Sequence, residues 1–349
     1  MAETKKAYPR YSPLVVTETA HLTEAEWLDY RRGGIGGSDV AKVLGLSPYS
    51  SARDLYYDKL NIKPMMDVED NWLAKEVGHL LEPLVAKLFE KKTGLKVYQI
   101  RKMFKHPVYQ FMYADVDFFI QTEDGRRGVL EIKTSHYNNK CKWADGKVPY
   151  HYELQVRHYL CVTDLDFAYI ACLFSNSEED FIFRKIERDR TYEEMLIESE
   201  KDFWENYVLA GKEPPYTEDG DMVLESIRRH YGSADKTAAG IILSDDEILR
   251  IKQYSELKKR KSELEAEVRD LDDAMKRAYA PIVDRLGKSC TATGKHDGIS
   301  YTVTFNPQYR DKISKDNLKK MQISDPDVYS RYVETTEIRV FRADMKECV

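Results

Sequence analysis

Glu131 and Lys133 stand two residues apart in RGVLEIKTS (127–135), a run that otherwise reads as sheet core. Side chains alternate across a strand, so Leu130 and Ile132 share one face and Glu131 and Lys133 the other. Two chemistries fit such a pair. One is a half-exposed strand with a surface ion pair, which stabilises little. The other is a metal site in which the carboxylate holds a cation and the ammonium steers a nucleophile. Further acid lies upstream, where FMYADVDFFIQTEDG (111–125) reads as a strand running into a turn at Asp124-Gly125, antiparallel to 127–135. On that strand Asp115, Asp117 and Phe119 share a face, opposite Val116 and Phe118. One of the two aspartates then lies beside Glu131. Carboxylates that close repel unless a cation or the lysine sits between them, which favours the site over the surface pair.

The flanking segments supply elements to position these groups. NWLAKEVGHLLEPLVAKLFEKKTG (71–94) carries Leu73, Val77, Leu80, Leu81, Leu84, Val85, Leu88 and Phe89 at helical spacing, with Gly94 as its stop. Pro83 predicts a bend or break there, and Glu82 stands just before it. A helix over 150–162 carries Gln155, and a strand follows at 167–174. Near the start, Gly33, Gly34, Gly36 and Gly37 form a tight loop, Ser38 reads as the N-cap of a short helix 39–44, and Gly45 closes it. Ser51 and Asp54 have capping-box spacing for a second helix. A glycine loop feeding a helix N-terminus suits a phosphate, and Arg31 and Arg32 just before it strengthen that reading.

Composition bounds the rest. With 349 residues the chain is long enough for two domains. No apolar run approaches a membrane span and MAETKKAYPR is no signal peptide, which points to the cytoplasm. The five cysteines are dispersed, so neither a disulfide framework nor a zinc ribbon is suggested. The net charge of −6 argues against coating nucleic acid through bulk charge but leaves room for a local basic groove. A charged helix over 191–211, a Pro-rich acidic connector at 212–221 and a flexible boundary at 228–240 precede a long helix opened by Ser244 and Glu247. In it Leu257, Leu264 and Leu271 repeat every seven residues, Val268 and Met275 fill alternating positions, and Lys261 interrupts the seam; this reads as a coiled-coil-like arm packing within the protein. Strand-like ISYTVTF (299–305) and TEIRVFRAD (336–344) complete a small α+β extension, giving domains 1–235 and 236–349.

Taken in order, GIGGSDVAKVLGLSPY (34–49), GHLLEP (78–83), LEIKT (130–134) and ELQVRHYL (153–160) resemble the recurring blocks of the YqaJ-like viral recombinases, the family of phage lambda exonuclease within the PD-(D/E)XK nucleases. The resemblance covers roughly residues 25–210. It implies an α/β (α+β), restriction-endonuclease-like fold with a mixed central sheet flanked by helices. It implies that Asp117 and Glu131 are metal ligands with the Ile132 carbonyl, that Lys133 orients or helps deprotonate the attacking water, and that Glu82 reaches a second metal directly or through water. Gln155 would position Lys133 or the DNA strand, and Arg31 and Ser38 match the 5′-phosphate anchor. Where that superfamily usually has a proline before the acidic residue, Val116 precedes Asp117; Asp117 matches by its distance from Glu131, with Asp115 as competitor. The implied activity is a Mg²⁺-dependent 5′→3′ exonuclease, Mn²⁺ substituting, that resects linear double-stranded DNA ends. Its implied assembly is a homo-oligomer, commonly a trimeric ring, with a phage-type single-strand annealing protein as partner. A metal-dependent endonuclease of the same fold and a degenerate DNA-binding or assembly protein remain as alternatives.

Overall fold

The computed structural model describes residues 9–66, 72–310, 312–334 and 341. The chain divides into two compact units, Met1–Ala234 and Asp235–Val349.

In the first unit, β1 (Leu14–Glu18) leads into α1 (Glu24–Arg32), whose capping box is Thr23 with Glu26. A 3₁₀ turn at Gly37–Asp39 runs into the four-residue α2 (Val40–Val43), and α3 (Ala52–Lys59) opens on the expected Ser51–Asp54 capping box. Next come α4 (Trp72–Thr93), β2 (Lys96–Tyr98), β3 (Lys102–Lys105), β4 (Tyr113–Asp115), β5 (Phe118–Gln121) and β6 (Arg127–Thr134). Helix α5 (Tyr150–Thr163), strands β7 (Phe167–Leu173) and β8 (Phe181–Glu187), and helices α6 (Arg190–Phe203) and α7 (Gly220–Tyr231) complete the unit. A π-helical turn, Trp204–Leu209, extends α6. Helix α7 takes in residues 228–231, the first part of the stretch expected to be a flexible boundary.

The central sheet has the order β2-β5-β6-β7-β8, parallel between β6 and β7 and antiparallel elsewhere. Helix α5 is the crossover between the two parallel strands, which a tight turn cannot connect. The sheet is covered on both faces, as strands so rich in apolar residues require. On one face Phe118, Ile120, Leu130, Ile132 and Ala171 pack with Val85, Ala86 and Phe89 of α4. On the other, Phe119, Val129, Ala168, Ile170 and Cys172 pack with Val156, Tyr159 and Leu160 of α5. The alternation expected for 127–135 is therefore present.

Three expectations are corrected. Residues 111–121 are not one strand: β4 pairs with β3 in a separate sheet, β1-β3-β4, while β5 pairs with β6, and Val116 and Asp117 bridge the two. Helix α4 continues through Pro83, so of the bend or break expected there the break is excluded. Its buried residues, Val85, Ala86 and Phe89, follow Pro83, while Leu73, Val77, Leu80 and Leu84 of the apolar set are exposed.

In the second unit, α8 (Asp245–Leu286) begins at the Ser244–Glu247 capping box. A hairpin of β9 (Thr291–His296) and β10 (Ile299–Thr304) and the helices α9 (Lys315–Ser324) and α10 (Pro326–Tyr332) follow. Leu257, Leu264, Val268, Leu271 and Met275 of α8 are exposed rather than packed. The strand expected at 336–344 lies, Phe341 apart, outside the described residues. Among the described residues no helix is long and apolar enough to cross a membrane.

Candidate active site

The break between β4 and β5 creates the site. The β5–β6 ladder ends at Phe118 and Leu130, while β6 continues to Thr134 against β7 alone. Beyond Leu130 the β5 side of β6 is open, and Asp117 fills it: its Oδ2 accepts a 2.9 Å hydrogen bond from the Ile132 N–H. A strand residue directs its N–H and C=O to the same edge, so the Ile132 carbonyl shares that fork. Glu131 is buried on the α5 face, where its Oε1 accepts from Lys133 Nζ at 2.6 Å and from Gln155 Nε2 at 2.7 Å. Gln155 also donates to the Tyr159 hydroxyl at 3.1 Å. Gln155, expected to position Lys133 or the DNA strand, shares Glu131 Oε1 with Lys133, because α5 places it a turn from Tyr159 over the middle of β6.

The charges here are unbalanced. Burial pushes Glu131 up to about 8, the adjacent Asp117 adding to the shift and Lys133 opposing it. Burial pushes Glu82 up to about 7, again with help from Asp117. Asp117 is raised by burial against the pull of Lys133 and the Ile132 N–H. Glu131 Oε2 is buried and, among the described residues, has no hydrogen-bond partner. Glu131 thus pairs with Lys133, Asp117 and Glu82 act on the same charges through space, and one buried Glu131 oxygen is orphaned; a divalent cation would answer both the surplus of carboxyls and that oxygen. Among the described residues no three His, Cys, Asp or Glu side chains form a ready-made cage. Two carboxylates and a main-chain carbonyl suit a hard ion that keeps several waters, such as Mg²⁺. Asp115, the competing aspartate, ends β4 in the other sheet and accepts from Trp27 Nε1 at 2.6 Å.

The glycine loop is pressed onto the same helix. A Cβ on Gly37 would lie 2.6 Å from Tyr159 Cε1 and 3.0 Å from Gln155 Cγ; one on Gly34 would lie 2.6 Å from the Phe111 carbonyl oxygen. These glycines are required by close approach. Gly37→Ala is accordingly expected to destabilise the protein by about 1–3 kcal/mol through overpacking, read by urea denaturation. It should also lower activity, because Tyr159 and Gln155 must move and Gln155 holds Glu131.

Ser38 is not an N-cap. It lies exposed within the 3₁₀ turn, where its Oγ accepts from Arg31 Nη2 at 2.9 Å, and the Gly36 N–H is capped by Asp39 Oδ2 at 3.1 Å instead. Because α2 has only four residues, its dipole supplies little. The candidate anion site rests on the Arg31–Ser38 pair, backed by the Trp27 ring 4.7 Å from the guanidinium. Trp27, Asp39, Lys59 and Tyr159 escaped the sequence reading. Each has a decisive contact distant in sequence, Trp27 with Asp115, Asp39 with Lys59 and Tyr159 against Gly37, for which the chain gives no local signal.

Residues 26–166 match the model of the YqaJ-like viral recombinase domain. The chain is 31% identical over 331 residues, 94% of its length and 96% of the relative's, to the uncharacterized protein YqaJ of Bacillus subtilis strain 168. Among solved structures it is similar to LHK-Exo in complex with dAMP, at 19% identity and TM-score 0.45, over 54% of this chain and 93% of that one. It is also similar to the alkaline exonuclease LHK-Exo from Laribacter hongkongensis, at 20% identity and TM-score 0.44, with the same coverage.

Proposed function

Since the chain belongs to the YqaJ-like viral recombinase family, we propose that it is a Mg²⁺-dependent deoxyribonuclease that digests linear double-stranded DNA 5′→3′ and leaves 3′ single strands for recombination. The observation that carries this reading is the fork at Asp117 beside the Glu131–Lys133 pair, with Glu82 within their electrostatic reach and, among the described residues, Glu131 Oε2 buried without a hydrogen-bond partner.

Asp117, Glu131 and the Ile132 carbonyl would hold the metal, and Glu82 a second ion directly or through water. A bound divalent ion supplies charge stabilisation at the scissile phosphate and an acidified water. The chain's own residues do the positioning. Gln155 and Lys133 both donate to Glu131 Oε1, fixing the carboxylate so that Oε2 faces inward. Lys133 Nζ, partly exposed at the end of β6, would orient the attacking water or help deprotonate it. Arg31 and Ser38 present donors for the terminal 5′-phosphate, which would set direction by anchoring one strand end. A ring-shaped homo-oligomer, a trimer for preference, and a single-strand annealing protein belong to the same proposal, as does action in the cytoplasm of a bacterial host.

The test is digestion of 5′-phosphorylated linear duplex beside a covalently closed circle, in Mg²⁺ with and without EDTA. Loss of the linear DNA alone, blocked by EDTA, is the expected result; cutting of the circle would make the protein an endonuclease. Asp117→Ala should cost more than about a hundredfold in rate, since even residues that only orient metal ligands cost 10–100-fold. Asp115→Ala should cost about tenfold or less. The reverse ranking would move the ligand to Asp115.

A further inference from the structure

Asp39 is 1% exposed, at the foot of the glycine loop, with cations on three sides. Its Oδ2 accepts from Lys59 Nζ at 2.8 Å and its Oδ1 from Lys42 Nζ at 3.2 Å, while Arg31 Nη2 lies 3.4 Å from both oxygens. The Gly36 N–H completes the set at 3.1 Å. Lys59, itself buried, also donates to the Arg31 main-chain carbonyl at 3.1 Å, tying the end of α1 to the loop. Burial alone would protonate Asp39, but Lys59, Lys42 and Arg31 hold its carboxylate well below the usual range.

We propose that Asp39, neutralised by Lys59, is the positioning residue of the terminal-phosphate site, holding Arg31 and the Gly36–Ser38 backbone in register. This rests on the reading of Arg31 and Ser38 as the 5′-phosphate anchor. A buried ion pair is a weak stabiliser compared with apolar side chains of similar size, so its use here points to geometry. Arg31 is fixed on one side by Trp27 and at its tip by Ser38 and Asp39. Three cations around one carboxylate leave this cluster with two positive charges in excess. That matches a terminal phosphate monoester, which carries a charge of about −2 at neutral pH, better than an internal diester.

The experiment compares kcat/KM on linear duplexes with 5′-phosphate and 5′-hydroxyl ends. Wild type should prefer the phosphate, and Arg31→Ala should erase the preference. Asp39→Asn should lower the preference roughly tenfold, mainly through KM, by weakening charge-assisted hydrogen bonds. Because Asp39→Asn leaves Lys59 buried and unpaired, the double variant Asp39→Asn/Lys59→Met removes both charges together; it should melt cooperatively and show the same lowered preference. In the Arg31→Ala background Asp39→Asn should change the preference no further. A folded double variant with the wild-type preference, or a fully additive effect on top of Arg31→Ala, overturns the role of Asp39 while the anchor stands. Absence of any preference in active wild type overturns the anchor itself, and this inference with it.

Discussion

Lys133→Ala is expected to reduce metal-dependent digestion of linear duplex by about 10²–10⁴-fold, the usual cost of removing a positioned proton-transfer group. The fold should survive. Lys133 lies at the open end of β6, partly exposed, and its ion pair with Glu131 can be lost without an uncompensated charge because burial already favours the protonated Glu131 carboxyl. Without the ammonium, Glu131 rises further, so the variant should also need more Mg²⁺. Lys133→Arg should not rescue, since a planar guanidinium cannot reproduce a compact ammonium 2.6 Å from Oε1. Single-turnover digestion at saturating Mg²⁺ separates the two effects. If both variants cut within about threefold of wild type at saturating Mg²⁺, Lys133 serves the strand and not the chemistry, against a proton-transfer contribution of at least about a hundredfold.

The most legible parts of the fold and of the site in the sequence are those with a local period or spacing. Glu131 and Lys133 alternate with Leu130 and Ile132, and the structure puts each pair on its expected face. Ser51–Asp54 and Ser244–Glu247 announce their helices because a capping box is complete within four residues. The break at Val116-Asp117 was not legible. Neither glycine nor proline marks it, and both halves remain strands, so the alternation runs on across a change of sheet. That break decides the site, since it frees the edge of β6 and turns Asp117 toward the Ile132 N–H. The exposed residues of α4 show the converse limit. Leu73, Val77, Leu80 and Leu84 keep helical period, yet period states which residues share a face and not what lies opposite. Asp39 and Lys59 are twenty positions apart, and only the folded packing of α3 beneath the glycine loop makes them a pair.

The second large effect is on pH. Folding raises Glu131 from its ordinary 4.5 to about 8 and Glu82 to about 7, chiefly by burial. The folded, metal-free protein therefore holds protons that the unfolded chain releases. The associated stability is complete below about pH 4.5 and is lost as pH rises through 7 and 8. Glu131→Gln removes the larger part of that loss. Below pH 5 it should melt close to wild type; at pH 9, without metal, it should be the more stable protein. The scale is roughly 1.4 kcal/mol for each tenfold change in proton affinity, so a few kcal/mol and several degrees in Tm. Mg²⁺ should reverse the order, because a cation bound to the ionised carboxylates displaces the same protons. Wild type with Mg²⁺ should regain its melting temperature at pH 9, and the Mg²⁺ concentration at half-maximal effect should fall about tenfold per pH unit for each proton displaced. The variant should show only the smaller response that Glu82 retains. Thermal melts from pH 5 to 9, with and without Mg²⁺, read all of this without any nuclease assay. A wild-type melting temperature that tracks Glu131→Gln across that range would mean Glu131 is already ionised and paired at neutral pH, and that the orphaned Oε2 is not waiting for a cation.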